Sequence, residues 1–111
     1  MGIKVTREEV GQAVVFAVEG SVDIASSPEL RGELRLAVEQ KRAKIVVDMG
    51  GVSFVDSSGL ATLIEGMQGT SRYGGKIVLC ALASAVLGVF QLANLDSIFT
   101  ITETREEALA A

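Results

Sequence analysis

Lys44 to Asp48, "KIVVD", and Lys76 to Leu82, "KIVLCAL", are the stretches that most restrict what this chain can fold into. Ile45, Val46 and Val47 are aliphatic without alternation, and the second run has the same character. A strand with one wet face alternates apolar and polar residues, whereas a strand covered on both faces does not. Both stretches therefore read as central strands with helices packed against them. Hydrophobic residues make up 49% of the 111 and aromatic residues only 5%, so the core is built from Val, Leu, Ile and Ala. A chain of this length forms one domain, residues 1–111, that buries about two-thirds of its unfolded surface.

The remaining elements fall around those strands. Ile3–Val5 and Ala13–Val18 are β-prone runs joined by the polar "TREEVGQ", which predicts an antiparallel hairpin. Ser27 as N-cap, Pro28 as first helical residue and Glu29 in the first turn predict a helix start. Leu30, Leu34, Ala37 and Val38 share its inner face, and Lys41 and Arg42 suit its negative end. Gly50-Gly51 marks a turn or an irregularity in the next strand. Leu60, Leu63, Ile64 and Met67 then form a core-facing stripe on a helix ending near Tyr73, with Gly74 as left-handed cap. Ser84 is placed as cap of a helix turning Val86, Val89, Phe90 and Ala93 inward and stopping near Asn94. Ile98–Ile101 reads as a strand, and Thr104 with Glu107 as a capping box. The order is β-β-α-β-α-β-α-β-α: an α/β fold with about four helices and a mixed sheet, parallel in its centre, carrying an N-terminal antiparallel hairpin.

Several function classes are disfavoured by composition. The net charge of −4 comes with no basic stripe, which argues against direct nucleic-acid binding. There is no histidine, which removes Ser-His and Cys-His nucleophile pairs and His-containing zinc sites. Cys80 is the single cysteine and sits in an apolar strand, where an inert buried thiol is expected. Residues 77–95 form a charge-free run of near-membrane length, but it divides at Ser84 into a β-rich and a helical half. The N-terminus lacks a secretory core and matches only the loose M-G-x-x-x-[ST] acylation pattern. A cytoplasmic protein that does not engage membranes is expected, with no cofactor.

The most informative segment is "VSFVDSSGL", Val52 to Leu60, where an apolar strand stops at Asp56, Ser57, Ser58 and Gly59 before a helix begins. Asp or Ser at this position caps a helix, but one cap does not require three polar residues. Binding sites in open α/β sheets lie at the carboxyl ends of strands, and a helix start favours negative charge. Catalysis by Ser57 is disfavoured: no histidine is present, and Val55 stands where G-x-S-x-G needs glycine. "GTSRYGGKI" fails as a phosphate loop because Ile77 replaces Ser/Thr and the order is helix to strand. Asp48 and Asp56 are a weak Mg²⁺ pair, since isolated loop aspartates are usually solvated.

"VVDMGGVSFVDSSGLATLIEG" closely resembles the signature of the STAS domain of bacterial anti-sigma factor antagonists. "VEGSVDIASSPELRGEL" and "GGKIVLCALASAVLGVFQLANLDSIFTITETREEAL" resemble the flanking parts of that family, so the likeness spans nearly the whole chain. The resemblance implies a partner switch. The antagonist binds an anti-sigma factor that is also a serine kinase, which frees a sigma factor. The kinase then phosphorylates the serine after the aspartate, here Ser57, and a PP2C-type phosphatase reverses the step. Carried over, Ser57 is the acceptor, with Ser58 a competing one. Ser21, Asp23, Ile24, Asp56, Ser57, Ser58, Gly59 and Thr62 form the implied docking set. Departures from the pattern are Ser21, where many relatives carry a larger or acidic residue, and Gly66 and Gly69, which weaken the signature helix. The rival readings are a STAS subunit of another assembly, such as a stress-signalling particle or lipid-transport complex, acting without phosphorylation, and a small nucleotide hydrolase.

Overall fold

The computed structural model describes residues 2–111. Strands β1 (Ile3–Val10), β2 (Ala13–Val22), β3 (Lys44–Val55), β4 (Lys76–Cys80) and β5 (Thr100–Thr102) lie side by side in chain order. β1 runs antiparallel to β2, and the other neighbours are parallel. Helices α1 (Ser27–Glu39), α2 (Ser57–Ser71) and α3 (Ser84–Leu92) connect the parallel strands, and α4 (Arg105–Ala110) follows β5. The α/β class, the element order and the mixed sheet are those expected from the sequence.

The strand order explains the two unequal layers. Each crossover steps one strand in the same direction, and right-handed crossovers then place α1, α2 and α3 on one face. That face holds the main core, with Phe16, Val18, Leu30, Leu34, Ile45, Met49, Leu63, Leu79, Val86 and Phe90 all buried. Phe90 meets Phe99 edge to face, 5.8 Å between ring centres. On the opposite face Val15, Val46, Val78 and Cys80 are sealed by Ala108 of α4. Both faces of β3 and β4 are thus covered, which is why their sequences do not alternate. Burial pushes the Cys80 thiol up to about 11, so it is inert at neutral pH.

The hairpin is longer than expected. Thr6 to Val10 belong to β1, and only Gly11 and Gln12 form the turn, with Gly11 at φ +59°. Charged residues are tolerated because β1 is an edge strand whose ends reach ion partners. Arg7 lies over the Phe16 ring and donates to Glu9 and Gln40, and Arg42 donates to both Glu9 oxygens. On the α4 side Arg105 joins Asp48 of β3 to Glu8 of β1, and Lys44 donates to the carbonyls of Ala108, Leu109 and Ala111.

β3 carries the next feature that positions the site. Of β3, only Lys44–Asp48 pairs with β4, while β3 continues beside β2 to Val55. Gly50-Gly51 is an irregularity inside this strand and not a turn: the register shifts between Ala17 and Glu19, and again between Gly20 and Ser21. A Cβ on Gly51 would fall 2.6 Å from Glu19 Cγ. The extra residues carry the end of β3 past the end of β4.

Element starts and helix faces show five differences from expectation. Ser26, not Ser27, occupies the N-cap of α1 and makes no side-chain cap bond, because its hydroxyl is turned back into the preceding loop. Ala83, not Ser84, precedes α3, again without a side-chain cap, and Ala93 is exposed. β5 begins at Thr100, since Ile98 and Phe99 close a turn through N–H bonds to the Leu95 carbonyl. The deepest stripe of α2 is Gly59, Thr62, Leu63, Gly66 and Gly69, with Leu60, Ile64 and Met67 half-buried. The glycines that cost helix propensity admit α1: a Cβ at Gly66 would lie 3.3 Å from Leu34, and one at Gly69 3.1 Å from Val38. The Thr104–Glu107 capping box and the left-handed Gly74 are as expected.

Candidate functional site at the start of helix α2

Asp56 breaks β3 and starts α2 through one carboxylate oxygen. Its Oδ1 accepts from the backbone N–H groups of Ser58 (2.9 Å) and Gly59 (3.2 Å), satisfying two donors that a helix start leaves open. The Asp56 N–H donates to the Val22 carbonyl at the end of β2, 3.2 Å away. Gly59 packs on the same carbonyl: a Cβ there would lie 2.9 Å from Val22 O and 2.9 Å from Val55 Cγ1. Glycine is required by this close approach. The turn is therefore clamped to the end of β2 from both sides.

Ser57 is the first residue of α2 and is exposed. Ser58 is half-buried, and its carbonyl accepts from the buried Thr62 hydroxyl at 2.9 Å. Gly59 and Thr62 thus lie in the seam beneath the helix and position it, rather than lining its outer surface. The Asp56 oxygen that caps the helix is committed to backbone donors, which leaves it poorly suited to activate the neighbouring hydroxyl. The helix start supplies a field that favours added negative charge at Ser57.

The β2–α1 loop lies against the same sheet end, since Ser21 and Val22 are register partners of Phe54 and Val55. Asp23 Oδ1 accepts from the N–H groups of Ala25 and Ser26, both at 3.0 Å, and lies 3.1 Å from the Ser26 hydroxyl. These bonds, led by the Ser26 N–H, hold the Asp23 carboxyl below its ordinary value. The Ser26 hydroxyl donates to the Ser21 carbonyl at 2.6 Å and accepts from the Asp23 N–H at 2.9 Å. Ser21 Oγ is 3.5 Å from Ser53 Oγ.

Two large apolar side chains stand out on this edge. Ile24 is 77% exposed and Phe54 52% exposed. Ile24 belongs to the set expected from the sequence, whereas Phe54 and Ser26 do not. The Asp23-x-x-Ser26 spacing was a usable signal for the loop bonds. The exposure of Phe54 follows from the register shift beside it, which no hydropathy pattern records. Clefts of about 350 to 490 Å³ lie elsewhere and are lined by other residues. Asp48 is engaged by Arg105, and among the described residues no cluster of His, Cys, Asp or Glu is arranged to hold a metal.

Residues 4–108 match the family model of the STAS domain. The chain belongs to the STAS domain family. BtrV of Bordetella bronchiseptica, provisionally named an anti-sigma factor antagonist, is 28% identical to this STAS domain over 109 residues, covering 98% of this chain and 94% of BtrV. The anti-sigma-B factor antagonist of Bacillus subtilis is 26% identical over 106 residues, covering 96% of each chain. Among solved structures, an anti-sigma factor antagonist from Mycobacterium paratuberculosis superposes with a TM-score of 0.89 at 25% identity, over 97% of this chain and 92% of that one. The Bacillus cell fate determinant SpoIIAA in its phosphorylated form does so at 0.76 and 25%, over 96% and 97%. Among the described residues no helix of the STAS domain is long and apolar enough to cross a membrane, and residues 77–95 resolve into β4, a turn and α3.

Proposed function

We propose that this STAS domain is a cytoplasmic anti-sigma factor antagonist, a regulatory binding domain and not an enzyme, switched off by phosphorylation of Ser57. The observation that carries the reading is the exposed Ser57 hydroxyl in the first turn of α2, beside a capping Asp56. Two relatives named as anti-sigma factor antagonists, and SpoIIAA, whose structure is known in a phosphorylated form, support it. The partner is an anti-sigma factor with serine kinase activity, and a PP2C-type phosphatase restores the free hydroxyl. Asp23, Ile24, Asp56, Ser57 and Ser58 contact the partner along one edge, with Ser21 at its margin. Gly59 and Thr62 hold the turn in shape.

Charge alone throws this switch. A phosphate brings about −1.5 to −2 charges to a surface that a partner would cover. Burying that charge unmatched costs on the order of several kcal/mol, and a loss of about 3 kcal/mol weakens binding about a hundredfold. The helix start tolerates the phosphate, so the domain need not refold.

Incubation with the candidate kinase and ATP, followed by intact-mass measurement, tests the proposal. Wild type gains one phosphate and Ser57→Ala gains none. In a pull-down with the same kinase, Ser57→Ala is retained and Ser57→Asp is lost. Equal retention of both variants removes the switch. A stable complex that forms without phosphate transfer favours the alternative, a STAS subunit acting only as an interaction module.

A further inference from the structure

The outer edge of β1 is the one long open sheet edge among the described residues. β1 is eight residues long and pairs only with β2, while β5, at the other edge, spans three residues. In a hairpin with a two-residue turn, the flanking pair is hydrogen-bonded, and the phase alternates from there. That pair is Val10 and Ala13, so Lys4, Thr6, Glu8 and Val10 direct their backbone groups toward β2. Ile3, Val5, Arg7 and Glu9 direct theirs outward, without a strand to receive them.

From this edge and its charge pattern we infer that β1 pairs antiparallel with β1 of a second copy, Thr6 opposite Thr6, giving a two-fold dimer with a continuous sheet. In this register Lys4 stands opposite Glu8 of the second copy, twice by symmetry. Lys4, Thr6 and Glu8 are all exposed and alternate along one face, so the charges meet directly. Val5 and Arg7 face each other on the other side and exchange the outward backbone bonds. A shift of one residue on each chain in one direction sets Arg7 against Arg7, a like-charge contact. The opposite shift sets Lys4 against Thr6 and loses both ion pairs. The charges thus select one register while discouraging the rest. The short β5 edge offers no second template, so the assembly closes at two copies. The inference does not depend on the proposed function, and the antiparallel arrangement points the two Ser57 edges in opposite directions.

Two measurements on the full chain decide it. In sedimentation over a range of protein concentration, wild type shifts from one chain mass toward two. Lys4→Glu replaces both attractive pairs by repulsive ones and weakens association about tenfold or more, and adding Glu8→Lys to it restores the dimer. Thermal melts confirm that each variant is folded, which matters for Glu8 because it also pairs with Arg105. Thr6→Cys oxidises readily to a cross-linked dimer, since directly opposed Cα atoms of this pair type lie about 4.5 Å apart. Lys4→Cys does not, because its two copies sit four residues out of register, about 14 Å. A wild type that stays monomeric, a Lys4→Glu variant that associates equally well, or equal cross-linking at both positions overturns the inference.

Discussion

Val22 and Gly59 touch where no side chain fits: the carbonyl of the last residue of β2 lies 2.9 Å from where a Gly59 Cβ would be. The same carbonyl accepts the Asp56 N–H, so backbone atoms of the end of β2 and the start of α2 meet directly at this joint. Gly59→Ala forces that joint apart. We expect a loss of about 1–3 kcal/mol in urea unfolding, the range for overpacked cores. Gly32→Ala is the control, because nothing lies within 4 Å of its Cβ position on α1, and it gains about 0.5–1 kcal/mol.

Asp56 holds the helix start through Oδ1 alone. Asp56→Ala removes that acceptor and lowers stability by about 1 kcal/mol, whereas Asp56→Asn keeps an oxygen in place and loses only a fraction of this. Thermal unfolding of the pair at pH 7 separates them. An equal loss in both would show that charge, and not capping geometry, is what the position supplies.

Glu9 sets part of the acid response. The Arg42 guanidinium first, and Arg7 second, lower its carboxyl from 4.5 to about 2. A carboxyl depressed by folding stabilises the native state above its unfolded value and loses that contribution as pH falls toward the folded one. Glu9→Gln therefore lowers stability at neutral pH and flattens the decline between pH 4.5 and about 2. Added salt shrinks the difference, since the cluster is exposed. Denaturant midpoints across that pH range give the measurement.

Ile24 and Phe54 are apolar side chains that the fold leaves in water. Ile24→Ser and Phe54→Ser leave the melting temperature within a degree or two but weaken capture of the proposed kinase partner, Phe54→Ser by about tenfold, as for an interface anchor. Binding by both variants at wild-type strength would move the docking surface away from this edge.

The covered, central character of β3 and β4 was legible because Ile45–Val47 and Ile77–Leu79 are aliphatic at every position, which double-sided cover explains. The start of α2 was legible because Asp56 has a local job, as does the Thr104–Glu107 capping box. Ser27 and Ser84 misled because any serine before a helical pattern looks like a cap. Ser26 is drawn away by Ser21 and Asp23, which belong to a different element. Arg7 and Glu9 hid the length of β1, since their partners Gln40 and Arg42 are more than thirty residues distant. Gly66 and Gly69 looked like weak points until Leu34 and Val38 came against them. What sequence pattern misses is, in each case, a contact between segments remote in the chain.

Lys44 gathers the closing carbonyls of α4 at the first residue of β3, while Ser57 comes two residues after its last. The longest strand of the sheet thus separates the tail from the hydroxyl. A fluorescent reporter or affinity handle attached behind Ala111 would hang from the opposite rim, leaving the serine open to enzymes while the tethered cargo is pulled, imaged or immobilised.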